Sequence, residues 1–152
     1  EEDMANLIRQ RGNEYGSVTK RPRRGGWFDA VATRYAAELN GFSSLALTKL
    51  DVLDALEEIK ICVGYEIDGN RIDTFPAVSL DLAKIKPVYE TLPGWQSETL
   101  GITDFEQLPE NAKRYVRFLS DSIGVEIGLI STGPERDQTI ILKNSVMESW
   151  FN

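Results

Sequence analysis

Three segments of the chain carry apolar residues at the spacing of an amphipathic helix. A short one covers residues 3–10, and a second runs from Trp27 to the pair Asn40-Gly41, which commonly ends a helix. The third can begin at Pro109, because proline is favoured at helix starts, and Gly124 ends it. A further short helix is predicted from the loop at Thr48 through Leu56. The spacing therefore predicts four helices.

Other segments have the patterns of β-strands. Residues 59–67 alternate between apolar and polar side chains, which predicts a strand with one buried face, and Asp68-Gly69 predicts a tight turn after it. Short uninterrupted apolar runs are typical of strands that are buried on both faces. The predicted strands cover residues 45–47, 59–67, 71–72, 125–130 and 139–142.

The alternation of these elements predicts an α/β protein. We expect a mostly parallel sheet flanked by helices, with a small antiparallel hairpin at Asp68-Gly69. The connection after the hairpin contains Pro76, Pro87, Pro93 and Gly94 and is predicted to be irregular. Residues 1–152 contain no repeat or Gly/Ser linker, so a single domain or part of one is expected.

Composition excludes several classes of protein. Of the 152 residues, 41% are hydrophobic and 27% are charged, and no apolar run approaches the roughly 18 residues of a membrane span. The single Cys62 excludes an internal disulfide and is predicted to be a packed core residue. The absence of histidine excludes Ser-His and Cys-His catalysis. Because the chain starts at Glu1 and its first methionine is Met4, we expect it to be a fragment.

Charge is unevenly distributed along the chain. The net charge is −7, but residues 9–24 contain six basic side chains and a single acid, Glu14, and therefore carry +5. Such a segment is either a solvated charge run or a local anion site. Because residues 12–26 are rich in glycine, proline and arginine, the basic residues are expected on a loop. The six basic residues are Arg9, Arg11, Lys20, Arg21, Arg23 and Arg24.

Two polar loops directly follow predicted strands, at residues 48–51 and 131–133. Ligands of open α/β sheets bind beyond the carboxyl ends of the strands. Asp51 can accept hydrogen bonds from both N1–H and the 2-amino group of guanine, while the stem of Lys49 lies along the purine. The amides near Gly133 can approach guanine O6. A surface loop, or a helix cap formed by Asp51, is the alternative interpretation.

Together these motifs make the chain resemble the C-terminal third of the adenylosuccinate synthetases. The resemblance covers nearly all 152 residues, in matching order and spacing. It implies a portion of a fold that is similar to the P-loop GTPases. The matching motifs lie at residues 12–16, 21–24, 26–29, 47–54, 92–95 and 130–134.

The family resemblance implies a GTP-dependent ligase of purine synthesis. GTP phosphorylates O6 of IMP, and the amine of L-aspartate then displaces that phosphate to give adenylosuccinate. GTP is a co-substrate, and Mg²⁺ is implied, with ligands outside this segment. The resemblance further implies a cytoplasmic enzyme that is a homodimer at full length, with neither nucleic acid nor membrane as partner.

The resemblance also assigns roles to individual residues. Thr19 matches the threonine that holds the carboxylate of aspartate, Arg21 the arginine shared by IMP and aspartate, and Arg23 the arginine near the GTP phosphates. Planar guanidinium groups suit these carboxylates and phosphates. The aspartate and IMP loop comprises Ser17, Val18, Thr19, Lys20, Arg21, Pro22 and Arg23. The GTP contacts comprise Arg23, Lys49, Leu50, Asp51, Ser131, Thr132 and Gly133.

The sequence departs from the family pattern in the basic loop. Val18 and Lys20 stand where a second threonine and a glycine are common, and Gly25 replaces a common cysteine. Lys20 can add an anion contact, or can be strained if that position needs a positive φ. Asp29 is predicted to start a helix and Asp54 to lie exposed on a helix surface.

The family's phosphate-binding glycine loop, catalytic aspartate and histidine have no counterpart in this sequence. No catalytic residue is therefore expected here, and the chain alone is expected to be inactive. One alternative is a free-standing module that binds polyanions or nucleic acid through residues 20–24. Against it, Trp27, Phe28 and Tyr35 lie at core spacing and leave no stacking platform. A regulatory GTPase is a third option, although it would also need a phosphate-binding loop.

Overall fold

A computed structural model describes residues 2–76 and 84–151, and this part of the chain folds into helices and strands in alternation. The helices are α1 (Glu2–Arg11), α2 (Ala30–Asn40), α3 (Glu110–Ile123) and α4 (Glu148–Phe151). The strands are β1 (Phe28–Asp29), β2 (Ser44–Leu47), β3 (Glu58–Ile67), β4 (Asn70–Ile72), β5 (Lys86–Pro93), β6 (Glu126–Ser131) and β7 (Thr139–Ile141). Short 3-10 turns lie at Leu50–Leu53 and Phe105–Gln107.

The strands form two mixed sheets. In the first, β3 pairs with β1 in parallel and with β4 and β5 in antiparallel orientation. In the second, β6 lies between parallel β2 and antiparallel β7. The α/β class is confirmed, and so is the small hairpin. Its turn residues Asp68 and Gly69 have φ values of 49° and 80°, the positive values that a tight hairpin turn requires.

Three predicted elements differ from the structure. Helix α2 begins at Ala30 rather than Trp27, because Phe28 and Asp29 pair with β3 and the Asp29 carboxylate caps the helix through the Ala32 N–H at 2.9 Å. The helix predicted through Leu56 is only the 3-10 turn Leu50–Leu53, followed within a few residues by β3.

The third difference is β5, which replaces part of the irregular connection. Its prolines, Pro87 and Pro93, argued against a strand. Within the described residues, however, β5 pairs with β3 alone, and an edge strand tolerates residues that lack an N–H. Its pairing with β3 is one of the two antiparallel pairings of the first sheet. Residues 77–83 of the predicted connection lie outside the described residues.

Helix α3 supplies the centre of the core. Its buried face packs with residues of α2, β3 and β6 in one apolar cluster, and Gly124 ends the helix at φ 77°, as expected of a left-handed cap. Cys62 is 3% exposed and packs in a smaller cluster, which confirms its predicted core position. Among the described helices, none has the length and apolar character to cross a membrane. The buried α3 residues are Ala112, Tyr115, Val116, Leu119 and Ile123.

Candidate functional site

The two polar loops predicted to contact guanine lie side by side. Strands β2 and β6 are parallel neighbours, with Leu47 opposite Ile130, so the loops that follow them leave from the same edge of the sheet. The backbone N–H of Lys49 donates to Ser131 Oγ at 2.7 Å. The segment 48–51, which we call the base loop, is therefore fixed directly to the segment 131–133.

Lys49 is held at both its backbone and its ammonium group. Its φ of 62° is left-handed, which is uncommon for a residue with a side chain. Its Nζ donates to the carbonyl of Gly12 at 2.7 Å and to Glu14 Oε1 at 2.5 Å. The side chain remains 47% exposed. An anchored ammonium on a half-exposed side chain fits the predicted packing of Lys49 along a purine.

One of the two carboxylate oxygens of Asp51 lacks a donor in the described part of the chain. Its Oδ1 is buried and makes no hydrogen bond there, and burial raises the pKa of Asp51 above its ordinary value. Asp51 lies within the 3-10 turn, whose N-cap is Lys49, so it does not act as the helix cap of the alternative interpretation. Buried polar atoms are normally paired, so an unpaired Oδ1 is an exception that a functional role for Asp51 would explain.

The remaining base-loop neighbours have different roles. Thr132 is fully buried, and its hydroxyl donates to the carbonyl of Ile102 at 2.8 Å, so its side chain serves the fold. A Cβ at Gly133 would lie 2.1 Å from Gln138 Oε1, so the side chain of Gln138 would have to shift to admit one. The predicted contacts of Leu50, Thr132 and Gly133 with GTP stay predictions.

Asp54 is buried, and the expectation that it lies exposed on a helix is wrong. Only 6% exposed, it accepts hydrogen bonds from Trp95 Nε1 at 2.6 Å, from Thr99 N at 2.8 Å and from Thr99 Oγ1 at 2.7 Å. Its own N–H donates to the carbonyl of Asp51 at 3.2 Å. Asp54 therefore ties the base loop to the motif at residues 92–95.

The predicted aspartate and IMP loop projects into solvent. Tyr15 and Pro22 form an isolated antiparallel bridge at its base, and residues 17–24, which we call the basic loop, are exposed. Lys20 has a φ of 55°, so the lysine occupies a conformation that favours glycine. The guanidinium of Arg21 makes no hydrogen bond or ion pair within the described ranges. The roles of Ser17, Val18, Thr19, Lys20, Arg21, Pro22 and Arg23 in substrate binding stay predictions.

Glu14 joins the basic loop to the base loop. Its Oε2 accepts from Arg23 Nη1 at 2.9 Å while Oε1 accepts from Lys49 Nζ at 2.5 Å. These two hydrogen bonds, that to Lys49 first, lower the pKa of Glu14 below its ordinary value. Sequence reasoning did not assign Glu14 a role, although it is the single acid of a strongly basic segment. The only feature of the sequence that could have drawn attention to Glu14 is that it is the one acid among residues 9–24.

A cavity of about 270 Å³ lies beside the base loop. Its polar wall includes Glu14, Thr48 and Lys49, and its apolar wall includes Phe28 of β1 and Leu47 of β2. Asp51 and the segment 131–133 do not line it. In the described part of the chain, β1 and β2 each pair with one strand only, so their other edges are open beside this cavity.

The aromatic residues near the basic loop are packed. Trp27 and Phe28 lie against the main core, and Tyr35 stacks on Phe75 with ring centroids 4.9 Å apart. They are therefore not arranged as a platform for nucleic-acid bases. Across residues 2–76 and 84–151, no cluster of three or more histidine, cysteine, aspartate or glutamate side chains is arranged to hold a metal ion.

Comparisons of the sequence with known proteins all lead to one family. The sequence model of the adenylosuccinate synthetase family matches residues 1–140. The chain is 50% identical to the adenylosuccinate synthetase of Solibacter usitatus over 142 residues, which are 93% of this chain and 33% of that protein. It is 49% identical to that of a Synechococcus species over 146 residues, 96% of this chain and 33% of that protein.

The fold is also similar to that of a solved structure. The structure of fully ligated adenylosuccinate synthetase from Plasmodium falciparum matches with a TM-score of 0.87 and 36% identity, over 93% of this chain and 34% of that one. The chain thus spans about a third of the length of these relatives.

Proposed function

Because this chain belongs to the adenylosuccinate synthetase family, we propose that it supplies the guanine, aspartate and IMP contacts of a GTP-dependent ligase. The reaction joins IMP and L-aspartate into adenylosuccinate and releases GDP and phosphate. The observation that carries the proposal is the hydrogen bond from the Lys49 N–H to Ser131 Oγ, which joins the two loops next to the carboxylate of Asp51, whose Oδ1 has no donor in the described part of the chain. A carboxylate can accept from the N1–H of guanine, whereas it is repelled by the lone pair on N1 of adenine.

Guanine selectivity follows from the base loop. Guanine presents N1–H and the 2-amino group, two donors that one carboxylate can accept together. Adenine presents a bare N1 acceptor, which would leave the charge of Asp51 desolvated and unpaired. The stem of Lys49 covers one face of the purine, and amides near Gly133 approach O6.

The basic loop serves the anionic substrates. Aspartate brings two carboxylates and GTP three phosphates, and the exposed cations at residues 20–24 concentrate positive charge where these groups meet. In this proposal Arg21 binds IMP and aspartate, and Arg23 binds the GTP phosphates. The family relationship also leads us to propose a cytoplasmic homodimer at full length. The Mg²⁺ that the family implies finds no cluster of ligands among the described side chains.

A chimeric enzyme tests the proposal. We would replace the matching third of the Solibacter usitatus synthetase, which is 50% identical, with this chain and follow adenylosuccinate formation with GTP and with ATP. We expect formation that requires GTP, with ATP a poor substitute. A folded chimera that uses ATP as well as GTP would contradict the assignment of the base loop. We call this chimera, which carries the present chain as its C-terminal third, the full-length synthetase below.

A further inference from the structure

A single carboxylate lies between two cations that the proposed function gives to GTP. Glu14 is the one acid among residues 9–24, a segment that otherwise attracts anions. Its two oxygens bond to different partners, Oε1 to Lys49 Nζ and Oε2 to Arg23 Nη1. A negative charge at this position repels phosphate groups. The presence of Glu14 among these cations therefore calls for an explanation.

Glu14 is fixed in place at the foot of the basic loop. Its N–H donates to the carbonyl of Arg9 at 2.9 Å, and its own carbonyl accepts from the N–H of Arg23 at 3.0 Å. The side chain is 27% exposed, whereas that of Arg23 is 61% exposed. The backbone of Glu14 is therefore hydrogen-bonded through both its N–H and its carbonyl, while its partner Arg23 is largely exposed.

The two contacts leave free the parts of each partner that a nucleotide needs. Lys49 Nζ is held by Glu14 and by the carbonyl of Gly12, so its stem, not its ammonium, is presented to a base. Arg23 uses Nη1 for Glu14, and its Nη2 makes no hydrogen bond within the described ranges. The free side of the guanidinium fork can still meet phosphate oxygens.

We propose that Glu14 is a positioning residue for GTP, which orients Lys49 for the guanine base and Arg23 for the phosphates. The inference rests on the proposed function and extends it to a residue outside the predicted contacts. Glu14 makes the base loop and the basic loop one nucleotide-binding unit. Exposed ion pairs contribute little to folding stability. In this proposal, loss of the Glu14 contacts therefore weakens nucleotide binding more than it lowers stability.

The test uses Glu14→Gln in the full-length synthetase. Glutamine keeps the shape and one acceptor but loses the charge that two cations share. We expect KM for GTP to rise about tenfold, because charge-assisted contacts that orient both partners are weakened. KM for IMP and for aspartate should stay within about twofold, and so should kcat. Glu38→Gln is the matched control, because Glu38 is an exposed glutamate of α2 and has no hydrogen bond to either loop among the described residues.

Two further variants separate positioning from simple support. Glu14→Asp keeps the charge but is one methylene shorter, so it should recover part of the loss in KM for GTP. In an Arg23→Ala background, Glu14→Gln should raise KM for GTP by less than it does in the parent, because one of its two partners is gone. Full additivity of the two substitutions would contradict a role through Arg23.

The outcomes also separate this inference from the proposed function. If the parent requires GTP but Glu14→Gln leaves KM for GTP unchanged, the positioning role is wrong and the proposed function stands. If Glu14→Gln raises all three KM values equally and lowers the melting temperature, Glu14 is only structural. A parent that does not distinguish GTP from ATP would overturn both.

Discussion

The backbone N–H of Lys49 donates to the hydroxyl of Ser131 at 2.7 Å, although 82 residues separate them in sequence. The contact exists because Leu47 and Ile130 are paired in parallel strands whose carboxyl ends meet at one edge. It holds the backbone of Lys49 in its left-handed conformation, two residues before Asp51, whose Oδ1 is buried and unpaired in the described part of the chain. The groups proposed to recognise guanine are therefore preorganised within this chain.

The chain alone should bind guanine nucleotides without hydrolysing them. We expect weak binding of GDP and weaker binding of ADP, because the base loop is present and the carboxylate of Asp51 finds its two donors on guanine but not on adenine. Titration calorimetry of the 152-residue chain with each nucleotide measures the difference. GTP turnover by the purified chain would contradict the expectation that it contains no catalytic residue.

The two arginines of the basic loop should have separable effects in the full-length synthetase. Arg21→Ala should impair the use of aspartate and IMP, and Arg23→Ala mainly that of GTP. Each loss of a charge-assisted partner costs about 1.5–3 kcal/mol, or roughly ten- to a hundredfold in the affected kcat/KM. Steady-state kinetics with each substrate varied in turn distinguishes them. Identical profiles for both variants would favour a diffuse basic field instead.

Local patterns were sufficient for the elements that position the base loop. Apolar runs predicted β2 and β6, and the rule that ligands bind beyond strand carboxyl ends drew attention to residues 48–51 and 131–133, which the structure brings together at one sheet edge. The pairing of these two strands, with 82 residues between Lys49 and Ser131, is a tertiary fact that no local pattern contains.

The side chains that the sequence misassigned are those whose role depends on distant partners. Asp54 looks like an exposed helical acid until Trp95 and Thr99 reach it across more than 40 residues. Strand β5 was obscured by its prolines because local preference does not reveal that it is an edge strand. Glu14 stood out only by its charge.

Asp54→Ala should strongly destabilise the chain. The substitution leaves Trp95 Nε1 and both donors of Thr99 buried without an acceptor, at a cost of about 3 kcal/mol or more. For a domain of this size, that lowers the melting temperature by roughly 6–12 °C. Thermal unfolding followed by circular dichroism measures the shift. Asp121→Ala, at an exposed position of α3, should change the free energy of unfolding by no more than about 0.5 kcal/mol.

Cys62 should be unreactive while the chain is folded. It is 3% exposed, and burial raises the pKa of its thiol, with the nearby charge of Asp29 adding to the shift. We expect Ellman's reagent at neutral pH to react at least roughly a hundredfold more slowly with the folded chain than with the chain in denaturant. Because the sequence has one cysteine, the signal reports this position alone. Immediate reaction of the folded chain would contradict the packing of β3.

Guanine recognition by Asp51 is the central claim, and Asp51→Asn in the full-length synthetase tests it most directly. Asparagine cannot accept both the N1–H and the 2-amino group, but its amide can donate to the carbonyl that replaces the amino group in xanthine. We predict that the ratio of kcat/KM for XTP to that for GTP rises at least roughly a hundredfold relative to the parent. An unchanged ratio in a folded variant would contradict the claim and remove Asp51 from the nucleotide site.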